Sequence, residues 1–265
     1  MQYKNSMRYL KHTIICMSML CLTTISKAQF SHRPTWQDNF SGSGRPSEKY
    51  WNIASQYDKR GSFEYNEHFS KIVYKQDGYL HLLIPMYQSG KRFDFPKVTT
   101  RNKKNELYGK YSIRAKVPTG EGLIPALWLV SPSVEDDYNA EIDIMEHIYT
   151  FNGKRFQSNV HLYDKRDSIE RHSQHPKSYD IDMSSFHIYT LEWTPERISF
   201  GVDGEIFYTY YKTEEELWVF DRPLFLIMNL NYVQSGWGAA PNTDKKKSLP
   251  AEMLVDWVKF YKYKK

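Results

Sequence analysis

The chain has 265 residues with 36 Lys+Arg against 31 Asp+Glu, a formal net charge of +5, and 16% aromatic residues, among them 21 Tyr and 7 Trp. Four of the basic residues (Lys4, Arg8, Lys11 and Lys27) fall within residues 1–28 beside no acid, so the rest of the chain is nearly neutral and has no electrostatic basis for gripping nucleic acid or an anionic membrane. Aromatic faces pack well against the C–H faces of sugar rings, so a polysaccharide or glycan is one partner this composition allows, while most of the rings are expected in the core and sheets.

In chain order, residues 1–28 read as a secretory signal peptide. Basic residues precede the apolar stretch Thr13 to Ile25, and Ser26-Lys27-Ala28 offers small residues for cleavage before Gln29. A run of about 13 residues is too short to cross a bilayer, and neither Cys16 nor Cys21 follows the small residue expected at a lipoprotein cleavage site. The mature protein is therefore expected to be secreted, periplasmic or at the cell surface, without membrane insertion and as a monomer. Both cysteines lie in the removed segment, so no internal disulfide is available and the core must hold the fold. Residues 29–265 show no repeat, heptad run or low-complexity linker, and the polar stretches Ser41 to Lys49, Asp164 to Ser178 and Asn242 to Ser248 are too short to divide them. One domain is expected.

Its elements read as strands. Tyr79 to Ile84 comes first, and then Tyr111, Ile113, Ala115 and Val117 alternate with Ser112, Arg114 and Lys116, the period of a half-buried strand. Leu123 to Val130, Ala140 to Ile148, Ser158 to Leu162 and His187 to Trp193 follow. Ile198, Phe200 and Val202 lead into Asp203-Gly204, and Ile206, Tyr208 and Tyr210 lead out, a hairpin whose Asp-Gly tolerates the positive φ of a type I′ turn. Thr213 could cap a short helix over Glu214-Glu215-Glu216 to Leu217. Pro223 to Leu230 and Met253 to Tyr263 complete the set. Many strands with turn signals between them predict an all-β fold, a sandwich of two packed antiparallel sheets.

Chemistry concentrates in Ala140-Glu141-Ile142-Asp143-Ile144-Met145-Glu146-His147. In a regular strand Glu141 and Asp143 share a face and Glu146, five residues after Glu141, points to the other. One extra residue near Ile144-Met145, a β-bulge, brings Glu146 back beside them. Three carboxyl groups in a row raise at least one pKa toward the range of a general acid near neutrality. Retaining glycosidases use such a pair, one carboxylate attacking the anomeric carbon and the other protonating the leaving oxygen. Glu141 is the expected nucleophile, Glu146 the expected general acid/base, and Asp143 the group that holds the nucleophile; this chemistry needs no catalytic metal and no cofactor.

The hexapeptide Glu-Ile-Asp-Ile-Met-Glu resembles the bulged catalytic signature of glycoside hydrolase family 16. The likeness runs from about Trp36 to Tyr261, through Tyr108-Gly109-Lys110-Tyr111, Pro125-Ala126-Leu127-Trp128, Phe186 to Pro195, Val202-Asp203-Gly204 and Leu254-Val255-Asp256-Trp257-Val258. It implies a jelly roll with a concave substrate cleft, endo action and retention of configuration. It also implies that Trp128 floors the sugar site, that His161 bonds Asp143 or a substrate hydroxyl, and that Asn229 and Trp237 line the cleft, with Arg101 as a sugar-hydroxyl donor. Asp38, Gly78 and Asp256 resemble the ligands of a structural calcium, an ion suited to oxygen ligands.

Two departures bear on the substrate. Ile124 stands where laminarin-cleaving relatives usually carry Trp, and Asn229 to Gln234 read Asn-Leu-Asn-Tyr-Val-Gln in place of Asn-Leu-Ala-Val-Gly-Gly. Losing a large ring makes room for the axial hydroxyl of galactose, so the expectation is endo-β-galactosidase-like cleavage of host-type glycans or galactans, ahead of an endo-β-1,3(4)-glucanase. A non-catalytic sugar-binding module is the reading of another class; binding needs stacking surfaces rather than three crowded acids.

Overall fold

The alternating apolar residues do build strands. The computed structural model describes residues 29–54, 69–86, 95–133, 137–166, 171–233 and 248–264. The signal-peptide expectation for residues 1–28, and Trp237 and Gln234, lie outside the described residues. Six strands precede the first long pair: β1 (Trp36–Asp38), β2 (Asn52–Ala54), β3 (Val73–Gln76), β4 (Tyr79–Ile84), β5 (Lys97–Thr99) and β6 (Asn105–Glu106). The central strands are β7 (Gly109–Lys116), β8 (Leu123–Val130), β9 (Tyr138–Glu146), β10 (Arg155–Asp164), β11 (Arg171–Gln174) and β12 (Lys177–Asp180). The chain closes with β13 (His187–Trp193), β14 (Arg197–Val202), β15 (Glu205–Tyr211), β16 (Leu224–Tyr232) and β17 (Ala251–Lys262). Among the described residues no helix is long and apolar enough to cross a membrane.

These strands form two antiparallel sheets. One runs β15-β14-β13-β7-β17-β4-β3 with β1 on β17; the other runs β11-β10-β9-β8-β16-β5-β2 with β12 on β10 and β6 on β16. The core lies between them. Tyr111, Ile113 and Ala115 of β7 meet Leu127 and Leu129 of β8 and Ile142 and Ile144 of β9 within one apolar cluster, each large aliphatic side chain contributing roughly 2 kcal/mol by burial. Gly109 is required by close approach, because a Cβ there would meet the Phe260 ring at 2.3 Å and the Tyr261 carbonyl at 2.8 Å. The expected Asp-Gly hairpin joins β14 to β15, with Asp203 at φ 50° and Gly204 at φ 91°.

Two expectations change. Thr213 to Leu217 forms no helix. The Glu216 carboxylate instead accepts from Ser173 Oγ (2.6 Å), His175 Nε2 (3.0 Å) and Tyr210 Oη (2.8 Å), the first two from some forty residues upstream, and these bonds outweigh local helix propensity. The polar stretch Asp164 to Ser178 contains β11 and the start of β12, whose exposed polar residues carry no apolar alternation and are strands because they pair with β10.

Candidate functional site

The site grows out of one irregularity in β9. Glu146 pairs with Ala126 of β8 and Met145 with Leu127, but the next β8 residue, Trp128, pairs with Asp143, so Ile144 is extra. The same slip appears against β10, where Gln157 faces Glu146 and Asn159 faces Asp143. This is the bulge the five-residue spacing requires. Ser158, fully buried between those two β10 residues, donates its hydroxyl to the Ile144 carbonyl at 2.6 Å and so occupies the acceptor the bulge releases from the ladder. Glu141, Asp143 and Glu146 thereby line one open cleft of about 350 Å³ with Gln157, Asn159 and His161.

His161, on β10 opposite Glu141, reaches the centre of the trio. Its Nε2 is 3.0 Å from Asp143 Oδ2 and 4.0 Å from Glu141 Oε1. Gln157 Nε2 donates to Glu146 Oε2 at 3.1 Å. Burial and, second, the neighbouring Asp143 charge push Glu141 up to about 8, with His161 pulling the other way. Burial pushes Asp143 up to about 7, and burial followed by Asp143 pushes Glu146 up to about 7 against the Gln157 bond. His161 is lowered by burial although the Glu141 and Glu146 charges work against it. The carboxyls titrate as one linked set, so the cleft retains at least one proton at a pH where dilute carboxylates have none.

Trp128 sits one strand away, opposite Asp143, half-exposed on the cleft side. Its indole Nε1 donates to Asn229 Oδ1 at 2.7 Å. Asn229 is buried, so it orients the Trp128 ring. Arg101 is not brought to the carboxyls: its guanidinium donates to the Pro132 carbonyl at 2.8 Å and lies 5.8 Å from the Phe225 ring centroid, and Phe225 pairs with Val130 on the far side of β8 from β9. The sequence reading did not single out Gln157, Asn159, Gln174 or His172. The signal was the period-2 row on β10 and its partner: starting from His161, alternate residues give Gln157, Asn159 and Tyr163, and Gln174 and His172 face His161 and Tyr163.

Two side chains of the calcium set already have protein partners. Asp38 uses one carboxylate oxygen to accept from the Phe40 N–H (2.9 Å) and the other from Trp51 Nε1 (2.9 Å). Asp256 is ion-paired with Arg114, which already supplies the positive charge. The carboxylates are thus engaged by protein groups, Asp38 through both oxygens and Asp256 through Oδ2, and a calcium ion, which takes six to eight oxygens, would have to share them.

Comparison with known proteins agrees with the geometry. The family described as Glycosyl hydrolases family 16 matches residues 61–259. The beta-glucanase of Rhodothermus marinus is 30% identical over 286 residues, covering 99% of this chain and 97% of that protein. The keratan-sulfate endo-1,4-beta-galactosidase of Sphingobacterium multivorum is 28% identical over 265 residues, which is 92% of this chain and 58% of that longer protein. The X-ray structure of the laminarinase from Rhodothermus marinus superimposes with a TM-score of 0.73 at 26% identity, covering 90% of this chain and all of that one.

Proposed function

Because the chain belongs to glycosyl hydrolase family 16 and is an endo-acting glycoside hydrolase, we propose that it cleaves internal bonds of a β-1,3(4)-glucan with retention of configuration, using Glu141 as nucleophile and Glu146 as general acid/base. The observation that carries the reading is the Ile144 bulge, which sets both glutamates on the face that also presents Asp143 and His161. In the first step a Glu141 carboxylate oxygen bonds to the anomeric carbon as the glycosidic C–O bond breaks, and Glu146 gives its proton to the leaving oxygen. In the second, Glu146 takes a proton from water as that water displaces Glu141 from the sugar. Glu141 must react ionised. His161 at 4.0 Å favours its ionised form, and the Gln157 amide and His161 do the same for Glu146, so the division of roles follows from the order of the two glutamates in the bulged signature. Asp143, bonded to His161, stands between the two and shares the proton of the set. Trp128, held by Asn229, offers the floor for the sugar under attack.

Support for β-glucan over the β-galactosidic expectation comes from the near full-length likeness to a beta-glucanase. The second reading, β-galactosidic bonds in galactose-containing glycans or galactans, keeps two supports: Ile124 lies two residues before Ala126 in the cleft-facing row of β8, opposite Asn231, where a larger ring would narrow the cleft, and one relative is a keratan-sulfate endo-galactosidase. Export through residues 1–28 belongs to the same proposal, since polymeric glycans are met outside the cell. A product screen of the protein and of Glu141→Gln on laminarin, mixed-linkage glucan, galactan and mucin-type glycans tests it. Oligosaccharides from the first two, absent with the variant, are expected. Products from galactose-containing chains alone would select the second reading, and products unaffected by the variant would overturn the assignment of Glu141.

A further inference from the structure

His161 does not end the line of contacts that starts at Asp143. Its Nδ1 lies 2.9 Å from Nε2 of His172 on β11. The two rings are nearly coplanar (10°) with centroids 5.1 Å apart, which at that N–N distance is edge-to-edge contact, the geometry of an N–H···N bond rather than of face stacking. His172 is in turn held face to face by Tyr163, at 4.4 Å between centroids and 4° between planes. A buried carboxyl, a half-buried imidazole and an exposed imidazole thus form one line from the catalytic carboxyls to the surface.

We propose that His172 is a positioning residue that fixes His161 in the tautomer carrying its proton on Nε2. Resting on the Glu141 and Glu146 assignment above, it gives a function to a strand that assignment leaves unused. The chemistry follows from counting donors. When the shared proton sits on Glu146, as the first step requires, Asp143 is a carboxylate and can only accept, so His161 Nε2 donates; its Nδ1 is then a lone pair and needs a donor, which His172 Nε2–H supplies. Asn159 follows this tautomer rather than deciding it. As placed, its amide nitrogen lies 2.9 Å from the same His161 Nε2 and donates to Gln174 Oε1 at 3.3 Å, while its buried Oδ1 has no partner. The two ends of an amide are nearly isosteric, so with His161 protonated on Nε2 the Asn159 amide turns its Oδ1 to that proton and the Gln174 amide turns with it, which satisfies the orphaned oxygen.

The charged and titratable groups around the pair, among the described residues, are Glu141, Asp143 and Glu146 on β9, Asp164 at the end of β10 with Lys165 beyond it, Tyr163 beneath His172, and Arg171 on β11. Asp164 is engaged by Arg166 and Arg171. Burial lowers the pKa of His161, so the imidazole that His172 holds is the neutral one, aimed at Asp143.

The test is His172→Phe, which keeps a ring on Tyr163 and removes the donor, beside His172→Gln, whose amide nitrogen can occupy the place of Nε2. Two readouts are taken: side-chain ¹⁵N shifts of His161, and kcat and KM on the best substrate from pH 5 to 8. With Phe, His161 is expected to lose its single tautomer and kcat to fall about tenfold at little change in KM, as other groups that orient a working imidazole do. That loss deepens toward pH 5, where the opened Nδ1 takes a proton, and Gln restores most of it. A single unchanged His161 tautomer, or a loss equal at every pH and not restored by Gln, overturns the proposal. Full activity of Glu141→Gln would instead sink the nucleophile assignment, and the ¹⁵N readout would still decide the tautomer on its own.

Discussion

The Ser158 hydroxyl donates to the carbonyl of Ile144, the one residue in β9 with no register partner in either neighbouring strand. Both groups are fully or nearly fully buried. Ser158→Ala leaves that carbonyl without a donor in a place water does not reach, a cost of about 1–3 kcal/mol. Relief comes from straightening the strand, which would turn Glu146 away from the cleft. The variant is therefore expected to lose activity out of proportion to stability, with kcat down about tenfold or more while thermal unfolding stays cooperative. A variant that is destabilised yet fully active would show that the bulge holds without Ser158.

The roles of the two glutamates separate by chemical rescue. Glu141→Ala has a gap where the nucleophile stood, so azide attacks the anomeric carbon once and should give the α-glycosyl azide. Glu146→Ala still forms the glycosyl ester from a substrate with a good leaving group, and azide then displaces Glu141 to give the β-glycosyl azide. Each variant alone is expected to lose about a thousandfold or more in kcat on polysaccharide. Product configuration by NMR is the check, and the reverse pairing of product with variant would exchange the two roles.

The carboxyl cluster also marks the stability curve. Glu141 is raised to about 8, by burial first and by Asp143 second, so the folded state holds a proton that the unfolded chain releases near pH 4. The corresponding stability is present below that pH and lost as pH rises toward 8. Glu141→Gln removes the ionisable group, and its side chain is 24% exposed in the native protein. The variant is expected to melt higher than the parent at pH 8, by on the order of 1–3 kcal/mol, with the difference shrinking to nothing by pH 4. Parallel melting curves at pH 4, 6 and 8 measure it; a constant difference would mean that Glu141 is not strained by its neighbours.

What could be read in advance follows the range of each interaction. The β9 bulge was legible because Glu141 and Glu146 are five residues apart and only one phase correction puts them on a common face. The helix expected at Thr213 to Leu217 was wrong because the partners that fix Glu216, namely Ser173, His175 and Tyr210, include two some forty residues upstream. Strand β11 carries Arg-His-Ser-Gln, exposed throughout, and nothing in its composition distinguishes it from a loop; pairing with β10 makes it a strand. The Trp128–Asn229 bond spans 101 residues, so the likeness to a sugar-cleft pattern could place both residues but not show that one orients the other. The resemblance that suggested calcium likewise could not show that Asp256 pairs with Arg114, 142 residues away in sequence.

Glu216 should show the opposite pH dependence to Glu141. Burial is the largest single influence and works against its charge, but the bonds from Ser173, His175 and Tyr210 together lower its pKa. Its stabilising contribution is therefore present above the unfolded value near 4.3 and lost as pH falls below it. The carboxylate ties the β11 edge of one sheet, through Ser173 and His175, to Tyr210 on β15 of the other. With 28% of the side chain exposed, solvent screening holds the expected loss for Glu216→Ala to about 1 kcal/mol at pH 7, fading toward pH 3. Because β11 also carries His172, the variant should raise amide hydrogen exchange over residues 171–175 and loosen the His161–His172 pair. Exchange measured at pH 7 decides it: protection in β11 equal to the parent's would mean that pairing with β10 alone holds that strand in place.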